Sequence, residues 1–274
     1  MQKTFDKRIT NQLKVLAMAM MVMHHLWNQN GLERYEDFGL DTFLGMGVLK
    51  ISLLCKICVG IYMFVAGYGL MSTFENGKFK LIYRLKKVLF PFWFLMLVCI
   101  PFLFIWHDYT LSDILSNATL LSCSINGSWW FMQTYVIFVC LFTLFAILVK
   151  KRKAYSLLLL ALSIICFQQL GSWVRPYSES IHYILHYFPL LYVGILSQHY
   201  KIFDRLQKYS ILQKIGISLL LILPRLITGY SITNIGLIVF MILWLIEFQS
   251  YIPKTINKSV DFLAVVSMNM WLVH

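Results

Sequence analysis

Apolar residues run nearly unbroken for stretches of about twenty positions, separated by short polar segments, along the whole chain. A helix that crosses a bilayer needs about 20 mostly apolar residues. Runs of that kind predict helices over 12–28, 48–72, 88–106, 128–149, 154–173, 181–198, 211–227 and 231–249, and a ninth that begins near Val260 and is still running at His274. The segments between them carry turn formers: Asn30-Gly31, Glu75-Asn76-Gly77, Asn126-Gly127, Arg175-Pro176 and Pro253-Lys254. Only the loops at 29–47 and 107–127 are long enough to add recognition. The ninth helix stops about 15 residues in, short of a bilayer's thickness, so the chain reads as a fragment whose final part is missing.

Composition excludes the soluble classes. Hydrophobic residues make up 59% of the 274 and charged residues 13%, with a mean hydropathy of +0.70. A soluble domain carries roughly 45–50% apolar and about 25% charged residues. The expected architecture is therefore all-α: one integral-membrane domain over 1–274, a polytopic bundle of transmembrane helices.

The net charge of +12 invites a nucleic-acid reading, but its distribution argues against one. Lys and Arg fall in short clusters between apolar runs, as basic cytoplasmic loops do. With the N-terminus in the cytoplasm, nineteen basic residues lie on the inner side, grouped at 3–14, 78–87, 150–153, 201–214 and 254–258. Four lie outside, Arg34, Lys50, Arg175 and Arg225, and Lys56 sits within a span. Flipping the chain inverts that split, so the N-terminus is expected inside. The first apolar run passes Ala17-x-Ala19 into His24-His25-Leu26-Trp27 with no cleavage site after it, and so is expected to be retained.

Ionisable groups inside a span are functional candidates by default, because burying them in lipid costs several kcal/mol. Lys14 and His25 are eleven residues apart, about three helical turns, so they lie within about 20° of one face and about 16 Å apart along the axis. A cation at the inner mouth can hold an anionic group such as a phosphate, and an imidazole above it can move a proton near neutral pH. His24 points about 80° away from Lys14. The alternative is that Lys14 snorkels to the inner surface while His24 and His25 mark the outer interface. Both readings stand on the residues alone.

Other groups are less directive. Arg84 and Lys87, at i and i+3, project together at the inner surface, as an anchor or as a grip on a nucleotide-type phosphate. Cys55-x-x-Cys58 lies in a span without a second pair, which favours packing over redox or metal chemistry. His182 and His186 have a chelating i, i+4 spacing but no third ligand to complete a site, so an interfacial polar cluster and no metal are expected. Lys56 either reaches the outer surface or faces a polar cavity. Glu247 reads as touching interfacial water, and His107 and His199 as loop residues.

Several of these segments, taken in order, resemble the acyltransferase 3 family of membrane acyltransferases. Lys14-x10-His25 is similar to its Arg-x10-His signature. Phe64-Val-Ala-Gly67-Tyr68 is similar to its Phe-x-x-Ser-Gly-Phe/Tyr segment, and Arg84-x-x-Lys87 before Pro91 to its Arg-x-x-Arg motif. Trp129-Trp130-Phe131, Phe188-Pro189 with Gly194, and Ser267-Met-Asn-Met-Trp271-Leu-Val-His274 resemble later landmarks. Lys14 and Lys87 stand where arginine is usual, and lysine lacks arginine's bidentate fork to phosphate; Ala66 stands where serine is usual. The resemblance implies ten helices, of which about nine are here, in the bacterial cytoplasmic membrane. It implies transfer of an acyl group, most often acetyl, from cytoplasmic acyl-coenzyme A (acetyl-CoA as co-substrate) to a hydroxyl on an extracytoplasmic glycan such as a surface polysaccharide. Lys14, Arg84 and Lys87 would hold the coenzyme's phosphates. His25, with His24 as the alternative, would act as general base or carry the acyl group. A transporter or flippase for a glycan or lipid is the rival reading, with intramembrane charges that line a pathway.

Overall fold

The structure is a computed structural model that describes residues 4–27, 43–106, 109–151, 153–228 and 234–273. Among them every regular element is helical. The helices are α1 (Lys7–Leu26), α2 (Phe43–Cys55), α3 (Cys58–Glu75), α4 (Leu81–Trp106), α5 (Leu111–Ala118), α6 (Trp130–Lys151), α7 (Lys153–Val174), α8 (Glu179–His199), α9 (Ile202–Leu206), α10 (Ile211–Thr228), α11 (Asn234–Phe248) and α12 (Lys254–Val273). Eight of the nine predicted runs each fall on one helix among the described residues. Among the described residues, five helical stretches are long and apolar enough to cross a membrane: Gly47–Glu75, Leu81–Leu103, Gly127–Lys151, Glu179–His199 and Asn234–Tyr251. The chain is a multi-pass membrane protein.

The structure corrects two expectations. The run predicted as one helix over 48–72 is two, α2 and α3, because the ladder tightens at Lys56 and Ile57, whose amides bond three residues back to Leu53 and Leu54 (3.3 and 3.2 Å). The predicted loop at 107–127 contains α5. Thr110 and Asp113 close its first turn as a capping box, each satisfying an amide that the helix leaves without a partner. Asn30-Gly31, Arg34, His107 and His274 lie outside the described residues.

The chain divides into two compact units. Unit 1 comprises Met1–Ala66 and Tyr200–Ser267. In it α1 packs on α2 and α11, and α10 on α11. Asp6 caps α1, accepting from the amides of Arg8 and Ile9 (2.9 and 3.0 Å). One turn on, Asn11 donates to Asp261 (2.7 Å) and Gln12 to Asn257 (3.0 Å), which ties α1 to the start of α12. Between α10 and α11, Gly236 lies so close to Leu221 that a Cβ would overlap its carbonyl oxygen. Such close approach is what small residues permit in membrane helix packing.

Unit 2 comprises Gly67–His199 and Met268–His274. Here α8 packs on α6 and α7, and α4 on α6 and α5. Val88, Phe92 and Met96 recur every fourth residue along α4, and this row is buried with Ile114, Leu120, Trp129 and Met132. The opposite face of α4 presents Phe94 and Leu97, 70% and 67% exposed, a surface suited to lipid and not to water. Gly67 meets the Leu191 carbonyl of α8 as Gly236 meets Leu221.

Candidate active site

In unit 1 the candidate chemistry lies on α1. Its buried row, Ile9, Leu13, Ala17 and Met21, advances every fourth residue, and each step turns it by about 40°. His25 continues that row past Met21, while His24, three after Met21, falls inside the buried stripe. The helix has no break between Lys7 and Leu26. Lys14 and His25 therefore keep the predicted register of about 20° along one edge of the stripe. His24 and Lys14 are half-buried and His25 is exposed.

His24 is held firmly. Its Nδ1 lies 3.0 Å from the Ser52 carbonyl oxygen on α2, and the Ser52 hydroxyl donates back to the His24 carbonyl at 3.2 Å. A carbonyl only accepts, so Nδ1 carries the proton and Nε2 keeps its lone pair when the ring is neutral. The His25 ring is 5.4 Å away, tilted by 59°. Lys14 enters a further contact through its backbone, where its carbonyl accepts from the Tyr62 hydroxyl at 3.0 Å.

In unit 2, Arg84 and Lys87 both lie on α4, which begins at Leu81, so they are one helical turn apart. The Arg84 guanidinium donates to the Thr73 hydroxyl at 3.0 Å and is half-buried, while Lys87 is exposed. That hydroxyl belongs to the last turn of α3, where it donates to the Leu70 carbonyl at 2.9 Å.

The remaining candidates resolve individually. Lys56 is exposed at the break between α2 and α3. Cys55 and Cys58 are free and buried, which fits packing. His182 places Nδ1 2.7 Å from the Gly171 carbonyl oxygen, and its ring centroid is 5.9 Å from that of His186. An open depression of about 540 Å³ is lined by Leu111, Ser112, Leu115, Ser116, Thr119 and Leu121, none of them a motif residue.

Two polar pairs escaped the sequence reading. Lys214, counted as a cytoplasmic cation, is 5% exposed and donates to Glu247 at 2.8 Å and to Gln207 at 2.9 Å. Glu247, read as touching interfacial water, thus neutralises a buried lysine. His199, read as a loop residue, ends α8 with Nδ1 2.8 Å from Glu75 Oε1. The partners are 33 and 124 positions apart in the chain, and no local pattern announces either pairing.

A family model described as an acyltransferase domain, Acyl_transf_3, matches residues 10–274. Neither a curated protein nor a solved structure matches the chain. The match covers nearly the whole chain and includes every motif residue named above. It favours enzyme over transporter, and on it the chain belongs to the acyltransferase 3 family and is an acyltransferase.

Proposed function

We propose that the protein moves an acyl group, acetyl foremost, from cytoplasmic acyl-coenzyme A to a hydroxyl of an extracytoplasmic glycan in the bacterial cell envelope. The orientation rests on the basic clusters, nineteen against four with the N-terminus inside. The observation that carries the reading is the unbroken α1, whose register sets Lys14 and His25 along one edge of its buried stripe.

His25 acts as the base. It takes the proton of the acceptor hydroxyl as that oxygen attacks the thioester carbonyl; the carbon–sulfur bond breaks and the coenzyme leaves as its thiol once reprotonated. In the two-step form, the imidazole nitrogen displaces the thiol first and the hydroxyl then displaces the imidazole. Both routes leave the same products and use the same residue. His24, fixed by Ser52, orients the end of α1 that carries His25. The phosphate role of Lys14, and that of Arg84 with Lys87, are separate proposals, each resting on its own unit.

The test is NMR of purified surface polysaccharide for O-acetyl signals, in cells that make the wild type, His25→Ala or His24→Ala at matched protein levels. Loss in His25→Ala with partial retention in His24→Ala supports the assignment. Unchanged acetylation in His25→Ala removes it.

A further inference from the structure

The last turn of α3 gathers charge from three other helices of unit 2. Arg84, from the start of α4, bonds to Thr73 at 3.0 Å. Lys150, from the end of α6, holds its ammonium 4.8 Å from the ring centroid of the next residue, Phe74. His199 and Gln198, from the end of α8, bond to the following residue, Glu75 (2.8 and 3.4 Å). Two consecutive residues of one turn thus each hold a cation, and the third is a carboxylate paired with α8.

The charges do not balance. Glu75 is the single acidic residue in the stretches 67–106 and 128–174, and both its oxygens are engaged by α8. Arg84 is steered by two hydroxyls, those of Thr73 and Tyr135, and Lys150 by an aromatic face, none of which neutralises a cation. No carboxylate pairs with either among the described residues. Thr73 and the Tyr135 hydroxyl both engage the Arg84 fork, and the donors that remain of its five can meet a planar or tetrahedral anion. Lys150 is exposed, and its ring contact fixes an otherwise mobile point charge.

We propose that Lys150 and Arg84, set about the last turn of α3, bind the phosphates at the nucleotide end of the acyl donor. This makes Lys150 a binding residue outside the Arg84-x-x-Lys87 motif, and it rests on the acyl-coenzyme A reading. A lipid headgroup offers the same phosphate chemistry, so the test must separate the two sources.

The probe is radiolabelled adenosine 3′,5′-bisphosphate, the nucleotide end of the coenzyme without its acyl arm. Its binding to the full chain is measured in phosphatidylcholine nanodiscs, with and without phosphatidylglycerol, at rising salt. The expected result is salt-sensitive binding by the wild type in both lipids. Lys150→Gln should weaken it about tenfold, Lys150→Arg should restore most of it, and Lys258→Gln should leave it unchanged. Equal affinity in Lys150→Gln, or no wild-type binding at millimolar probe, overturns the proposal. So does loss of binding when phosphatidylglycerol is added, which assigns the cations to lipid. Bisphosphate binding that depends on Lys150, in a wild type that transfers no acyl group from acetyl-CoA, overturns the donor reading while the phosphate site stands.

Discussion

His24 and Ser52 are joined twice, ring to backbone at 3.0 Å and hydroxyl to backbone at 3.2 Å. The two bonds lock the end of α1 to α2 at the residue before His25. Ser52→Ala removes the hydroxyl bond and leaves the His24 carbonyl without that donor, but keeps the carbonyl that orients the ring. A loss of about 1 kcal/mol in stability is expected, with transfer reduced less than in His24→Ala. Unfolding in mixed detergent together with a transfer assay checks both.

The Lys214–Glu247 pair gives an asymmetric prediction. Their side chains are 6% and 15% exposed, so removing one partner strands a charge. Glu247→Leu should cost about 3–5 kcal/mol. Lys214→Met combined with Glu247→Leu should recover most of that loss, because no buried charge remains. A double-mutant cycle on unfolding free energy measures the coupling.

Glycines that look alike in the sequence separate in the structure. At Gly67 and Gly236 an added methyl overlaps a backbone carbonyl of the neighbouring helix, which no rotamer change relieves, whereas Gly69 faces open space. Gly67→Ala and Gly236→Ala should sharply lower the yield of folded protein, and Gly69→Ala should not. Fluorescence-detected size-exclusion chromatography of the three variants distinguishes them.

The capping box of α5 carries a pH signature. The Thr110 hydroxyl and amide donate to Asp113 Oδ2 (2.6 and 2.9 Å), and these bonds hold the Asp113 carboxyl below its ordinary value of 3.8. A depressed folded value means that the ionised form is favoured by folding. Its contribution is present above pH 4 and is lost as pH falls through the lowered value. Amide exchange in α5, normalised for intrinsic rates, should therefore accelerate on acidification in the wild type. In Asp113→Asn that acid-dependent step should be absent.

Most of the helices were legible because each rests on a run of neighbouring residues whose length and apolarity are local facts. The Lys14–His25 register was legible for the same reason, since eleven residues of unbroken helix fix an angle. The break at Lys56–Ile57 was not, because the apolar run passes through it with no glycine or proline. α5 leaves no hydropathy signal because eight residues cannot span a bilayer, although Thr110-x-x-Asp113 resembles a capping box in the sequence. The anchoring of His24 by Ser52, the pairing of Lys214 with Glu247, and the approach of Lys150 to Phe74 join residues far apart in the chain. Such pairings come from packing, which hydropathy along the chain does not encode.

The central claim is that His25 performs acyl transfer. The most direct measurement is transfer of radiolabel from [14C]acetyl-CoA to polysaccharide stripped of O-acetyl groups by mild alkali, using the purified full chain in nanodiscs that expose both faces. The account predicts that His25→Ala lowers the rate at saturating donor by at least about 100-fold, with the chain still folded by size-exclusion chromatography. A rate in His25→Ala within a few-fold of wild type would contradict it.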